Sequence, residues 1–165
     1  MESDDEFEEW YRRTRPLVVR VVTVACGGRA EIAAEATDEA MVRAFERWRR
    51  VREMGRPDRW AITVALNVAR RRFRRQAHEG RLLSLGRQRV ATPSFEGATA
   101  DAISVWAVLD DLPPRTRELV ALRYVADLGE AEIASLLDLS EGTVSAALSR
   151  ARQRLRHALG SEDLP

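Results

Sequence analysis

The sequence predicts an all-α protein: two small helical domains joined by a flexible linker, the C-terminal one containing a helix-turn-helix. Three observations lead there. Apolar residues recur at helical spacing over most of the chain, and no segment alternates like a half-buried strand. Glycine and proline mostly punctuate the periodic segments rather than interrupt them. Periodicity stops between Glu79 and Ala100, a stretch rich in Gly, Ser, Thr and Arg that includes Pro93 and is long enough to tether two separately packed units. The expected division is residues 1–79, a linker over 80–100, and 101–160.

The first helix is expected to start after Asp4 or Asp5, with acidic residues in its first turn, and to run toward Cys26. Pro16 should kink or divide it, and Gly27-Gly28 should end it. A second helix spans about Ala30 to Arg49. Ala33, Ala36, Ala40, Ala44 and Trp48 form its apolar stripe, Met41 and Phe45 lie beside it, and Glu35, Asp38 and Glu39 lie on the other side. The third helix opens at Pro57, where a first turn accepts proline, and runs to about His78. Ile62, Leu66, Ala69 and Phe73 share one face, while Thr63, Asn67, Arg70 or Arg71, and Arg74 share the opposite one. The arginines therefore project as one surface.

Beyond the linker, one helix is expected over Asp101 to Asp111 and another from Pro113-Pro114 through Tyr124. The closing pair is Glu130–Leu137 and Glu141–His157, joined by the turn Asp138-Leu139-Ser140 with Leu139 buried and Ser140 as cap. Val144, Leu148, Ala151 and Leu155 form the inner stripe of the last helix. Gly142, Ala146, Ser149 and Gln153 face outward, flanked by Thr143, Ser145, Arg150, Arg152, Arg154 and Arg156. Small polar residues leading and arginines following suit a DNA major groove, with base edges ahead and phosphates beside. An ordinary αα-hairpin with a basic rim is the plainer reading.

At 165 residues, 45% apolar and 32% charged, the chain has enough apolar material for a core. All 27 basic residues are arginines, so lysine-dependent P-loop or Schiff-base chemistry is excluded. Cys26, His78 and His157 provide neither a disulfide framework nor zinc-ligand spacing, and no cofactor is expected. No grouping of His, Cys, Asp or Glu has catalytic spacing, so an enzyme is not expected. The acidic N-terminus lacks the pattern of a secretory signal, and the longest apolar stretch, broken by Arg20, is too short to span a bilayer. A cytoplasmic protein with no membrane insertion is expected.

The net charge of +1 hides a strong asymmetry. Residues 43–89 hold 15 arginines against Glu46, Glu53, Asp58 and Glu79, a net of +11. Such a segment repels itself unless a polyanion neutralises it, and nucleic acid is the commonest polyanion. A merely solvated arginine-rich face is the bland alternative.

Over residues 5–78 and 101–158 the chain resembles bacterial RNA polymerase sigma factors of the small, two-domain extracytoplasmic-function class. The residues that carry the likeness are AEATDEAMVRAFERW (34–48), RPDRWAITVALNVARRRFRR (56–75) and LDDLPPRTRELVALRYVADLGEAEIASLLDLSEGTVSAALSRARQRL (109–155). The resemblance implies RNA polymerase core enzyme and promoter DNA as partners, with an anti-sigma factor as a regulator. It implies that Glu35, Asp38, Glu39, Met41, Phe45 and Trp48 dock on the polymerase clamp. It places Trp60, Thr63, Asn67, Arg70, Arg71, Arg74 and Arg75 on the −10 promoter element, with the non-template strand held open. It places Gly142, Thr143, Ser145, Ala146, Ser149, Arg150, Arg152 and Gln153 on the −35 element. Trp48 and Trp60 either pack in the core, the simpler reading, or lie beside an extruded base.

Three positions depart from the family pattern. Where a basic, a small and another basic residue commonly follow Gly-Thr-Val, this chain has Ser145-Ala146-Ala147, so contacts to the −35 element are expected to be fewer. Asp138 replaces a common turn glycine at little cost, because Asp tolerates the left-handed conformation. Arg71 replaces a frequent aspartate and adds charge to the −10 face. DNA binding is therefore expected to lean on the N-terminal domain. Two other readings stand beside this one: a free-standing helix-turn-helix regulator that dimerises through its N-terminal helices, and a sigma-like adaptor with weakened −35 recognition.

Overall fold

A computed structural model describes residues 2–83 and 100–159. Among them are eight helices: α1 (Glu2–Ala25), α2 (Ala30–Glu46), α3 (Trp48–Val51), α4 (Pro57–Leu83), α5 (Ala100–Asp111), α6 (Pro114–Tyr124), α7 (Glu130–Leu137) and α8 (Glu141–Leu159). There is no strand among the described residues. The chain divides into two compact units, one built mainly from α1–α4 and the other from α5–α8. The segment read as linker is in part helical, since α4 continues to Leu83; its remainder, 84–99, lies outside the described residues.

In the N-terminal unit the core is assembled from small and branched residues. Ala33, Ala36, Ala40 and Ala44 on α2 let it approach α4 closely, where Ala61, Ile62, Ala65, Leu66 and Ala69 are buried. The buried Thr37 hydroxyl donates to the Ala33 carbonyl at 2.7 Å, so the polar group costs little. Helix α1 is joined to this pair by aromatic packing. The Trp48 ring centroid lies 5.1 Å from that of Trp10 and 5.3 Å from that of Phe7.

Two expectations about boundaries are corrected here. Pro16 does not divide the first helix, which runs unbroken from Glu2 to Ala25; tertiary packing through Trp10, Val18, Val21 and Val22, all buried, outweighs the lost hydrogen bond. The second helix does not continue to Arg49. It stops at Arg47 (φ −118°, ψ 20°) and restarts as α3, a rotation that turns Trp48 into the aromatic cluster. Gly27 and Gly28, at φ 63° and 85°, make the turn after α1 that their freedom from a Cβ allows.

In the C-terminal unit α8 packs against α5, α6 and α7 around Leu119, Leu122, Ile133, Val144 and Leu148, all buried. Arg117 is a buried cation held at the C-terminal end of α5. It donates to the Asp110 carbonyl at 2.9 Å and to the Asp110 carboxylate at 3.2 Å, where the helix dipole also favours positive charge. Arg115 bridges the Glu118 carboxylate (2.8 Å) and the Leu137 carbonyl (3.0 Å), tying α6 to the end of α7. The turn between α7 and α8 has Asp138 left-handed (φ 54°, ψ 54°), and the Leu139 amide donates to the Ala134 carbonyl at 2.9 Å. Leu139 itself is half-buried rather than fully enclosed.

Candidate nucleic-acid interface

Helix α4 forms the first candidate surface. Its apolar face is held against α2, which leaves Asn67, Arg71, Arg74 and Arg75 exposed, with Thr63 and Arg70 half-buried along the same side. Arg70 donates to the Asn67 side-chain oxygen at 2.9 Å, and the Thr63 hydroxyl donates to the Arg59 carbonyl at 2.9 Å. Arg43 of α2 joins Asn67, Arg70, Arg71 and Arg74 around a shallow depression of about 370 Å³. Arg43 was not singled out from the sequence; its place one turn after Glu39 on α2 was the available signal. Trp60 is half-buried at the start of α4, and Phe73 carries the Arg29 guanidinium 5.5 Å above its ring.

The arginines of α4 meet carboxylates of α2. Glu35 pairs with Arg72, and Glu39 pairs with Arg43 while its oxygens lie 3.6 Å from Arg71 and 3.7 Å from Arg72. Asp38 pairs instead with Arg15 of α1 at 2.8 Å, and this hydrogen bond raises the Arg15 pKa. The three acidic residues assigned to a partner from the sequence thus already hold arginines of neighbouring helices, although all three stay solvent-accessible.

Two other residues assigned to that partner-docking face present little surface. Met41 is 3% exposed and Trp48 7%, so both are core residues with little surface to offer. Phe45 is 56% exposed and does face outward. Beside it is Val42, also 56% exposed, which the sequence reading passed over. Its signal was an apolar side chain standing off the alanine stripe. Phe7, Tyr11, Val42 and Phe45 line an apolar groove of about 450 Å³, with Met41 as floor and the Arg15–Asp38 pair at its edge.

Helix α8 forms the second candidate surface. Gly142, Thr143, Ser145, Ala146, Ser149, Arg150 and Gln153 are exposed, and Arg152 is half-buried. Ser140 caps the helix: its hydroxyl accepts the Thr143 amide at 3.1 Å and lies 2.8 Å from the Thr143 hydroxyl. A Cβ added at Gly142 meets nothing within 4 Å, so internal packing does not require glycine there. Ala147 is 8% exposed, on the inner face with Val144, Leu148 and Ala151. A basic residue at 147 would start from this inner edge and reach DNA only by extending its stem outward. Ser145 of the pair is exposed on the outer face.

Among the described residues no group of three or more His, Cys, Asp or Glu is placed to hold a metal ion, and Cys26 is a buried free thiol. Among the same residues no helix is long and apolar enough to cross a membrane. What the two faces offer is positive charge on α4 and an exposed, small-residue helix face on α8, which suit phosphate and groove recognition.

Comparison with known proteins agrees with this geometry. Residues 10–79 match the model of sigma-70 region 2, and residues 102–155 match that of sigma-70, region 4. The RNA polymerase sigma factor CarQ of Myxococcus xanthus is 30% identical over 169 residues, covering 98% of this chain and 94% of that protein. The RNA polymerase sigma-E factor of Streptomyces avermitilis is 28% identical over 162 residues, covering 96% of this chain and 88% of the relative. The fold is similar to that of the sigma factor RpoE from Bartonella quintana, solved with the anti-sigma factor NepR (TM-score 0.80, 17% identity, 95% of this chain and 98% of that one). With two helical units bearing these faces and relatives matching nearly end to end, the chain belongs to the RNA polymerase sigma factors, in the two-domain extracytoplasmic-function class.

Proposed function

We propose that this chain is a promoter-specificity subunit that docks on RNA polymerase core through α1 and α2, engages the −10 element with α4, and reads the −35 element with α8. The observation that supports this reading most is the outward arginine face of α4 (Arg70, Arg71, Arg74 and Arg75, with Asn67) in a chain whose residues 43–89 carry a net of +11. Opening a duplex costs a few kcal/mol per unstacked step, and phosphate contacts and captured bases offset that cost. The arginines provide the phosphate contacts, and half-buried Trp60 stands at the mouth of α4 where an extruded base could pack.

The polymerase-facing surface centres on Phe45 and Val42 with the apolar groove beside them, and Asp38, Glu35 and Glu39 supply negative charge for a basic partner. Gly142, Thr143, Ser145, Ala146 and Ser149 lead into the major groove, with Arg150, Arg152 and Gln153 following. Nucleotide addition belongs to the polymerase, so the chain itself contributes no catalytic step and acts where polymerase acts, in the cytoplasm. An anti-sigma factor covering the docking surface would hold it inactive, as the complex of the Bartonella quintana protein with NepR illustrates for that protein.

The test is transcription from a randomised promoter library by core polymerase with and without the chain. The expected result is a set of start sites, seen only with the chain, that share motifs at both element positions. Transcripts independent of the chain would reject the reading.

A further inference from the structure

The ion pairs between α2 and α4 connect two surfaces that the proposed function uses for different purposes. Glu39 is shared among Arg43, Arg71 and Arg72, and Glu35 is the second partner of Arg72. Arg71 and Arg72 are 53% and 39% exposed at the side chain, so the pairs lie at the surface, open to exchange with other ions. The Arg72 Nε is buried without a hydrogen-bond partner, a desolvation cost at the seam that turning the guanidinium out to a phosphate would relieve. Along that seam Glu35, Glu39, Arg71, Arg72 and Arg75 border an open depression of about 440 Å³. Arg71 lies on the rim of this depression and also on that of the arginine-lined one over Asn67.

We propose that Glu35 and Glu39 are internal counter-ions that couple docking on α2 to nucleic-acid binding on α4. In the free chain they hold part of the charge of Arg71 and Arg72, which lowers the attraction of α4 for phosphates. A basic partner surface that takes up the two carboxylates releases those arginines to DNA. By linkage, DNA that takes up the arginines frees the carboxylates for the basic partner by the same factor. The proposal rests on the assignment of α2 to the polymerase and α4 to DNA. Surface pairs of this exposure are individually weak, so the device works by a modest factor rather than as an absolute block.

The test measures binding of the full-length chain, without polymerase, to a labelled single-stranded oligonucleotide of non-promoter sequence across a salt titration. Glu35→Gln/Glu39→Gln is expected to bind about 5- to 10-fold tighter than wild type, with a log–log salt slope steeper by roughly 0.7 for each arginine released to a phosphate. Glu8→Gln/Glu9→Gln, which removes two exposed acids from α1, matches the change in net charge and is expected to change neither quantity. In an Arg71→Ala/Arg72→Ala background the two glutamine substitutions are expected to give no gain. An unchanged slope in Glu35→Gln/Glu39→Gln, or a gain that persists without the two arginines, overturns the coupling. Failure of the wild-type chain to direct transcription with core polymerase would instead reject the functional assignment, and it is read in a separate assay.

Discussion

On α4, Arg71 and Arg72 lie against carboxylates of α2, whereas on α8 the leading outward residues Thr143, Ser145, Ala146 and Ser149 are exposed and uncharged, with Arg150 following. The first surface is rich in charge that the fold already compensates in part. The second has no arginine at its leading end and gathers its arginines further along, its helix start fixed by the Ser140 cap. Phosphate attraction, which is strong, salt-dependent and indifferent to sequence, therefore concentrates in the N-terminal unit. The proposed function assigns shape and base-edge contact, which carry specificity, to α8.

The sharpest way to break the comparison is to add charge to the inner and to the outer face of α8. Ala151→Arg forces a guanidinium into the inner face and is expected to cost about 3 kcal/mol or more, unfolding α8 from its unit. Ser145→Arg, at an exposed site, is expected to leave the melting transition unchanged and to raise −35-dependent transcription. Thermal melting followed by circular dichroism, together with promoter titration, checks both. If Ala151→Arg melted like wild type, the inward placement of that residue would be wrong.

Next in size is the contrast between arginine pairs. Arg71→Ala with Arg74→Ala is expected to lower promoter-dependent transcription about 10- to 100-fold, because charge-assisted contacts are lost twice. Ser149→Ala with Arg150→Ala is expected to cost about tenfold or less, because only one charge is removed. Titration of open-complex formation against salt separates the two further, since the first pair should flatten the log–log slope by roughly 1.4 to 1.8 and the second by under about 1. A larger loss from the C-terminal pair would count against the N-terminal emphasis.

Smaller effects sharpen the local picture. Ser140→Ala removes the cap of α8 and is expected to cost about 1 kcal/mol, read as faster amide exchange in its first turn. The smallest effect concerns Asp58, in the first turn of α4. Burial pushes its carboxyl pKa up, but hydrogen bonds from Arg56 at 3.0 and 3.2 Å and from backbone amides outweigh this and hold it below the usual carboxylate range. A depressed folded pKa gives stability that is present above the ordinary carboxylate value and is lost as pH falls through the depressed one. Asp58→Asn is therefore expected to be less stable than wild type near neutrality, by a fraction of about 1 kcal/mol for so exposed a pair. The difference should vanish in acid.

Much of the fold was legible because its signals are local. The span Glu130–Leu137, the left-handed Asp138 and the cap at Ser140 follow from residue types at fixed offsets, and all three occur in the structure. The unbroken α1 through Pro16 and the break at Arg47 were not legible, because each depends on packing against helices distant in sequence. Helical spacing placed the acids of α2 and the arginines of α4 each on a face of its own helix. It carried no information on which face meets which, so the pairing of Glu35 and Glu39 with Arg71 and Arg72 emerged only from the tertiary structure. The inward position of Ala147 was readable: it lies three residues after Val144 and four before Ala151, both on the inner stripe.

The most direct test of the account is site-directed cleavage of promoter DNA in the assembled complex. With Cys26→Ala as background, a hydroxyl-radical reagent is tethered through Asn67→Cys on α4 or Ser149→Cys on α8, both exposed sites. The account predicts strand cuts around the −10 element from the first and around the −35 element from the second, in each case only when core polymerase is present. Cuts at one shared location, or the same cuts without polymerase, would contradict it.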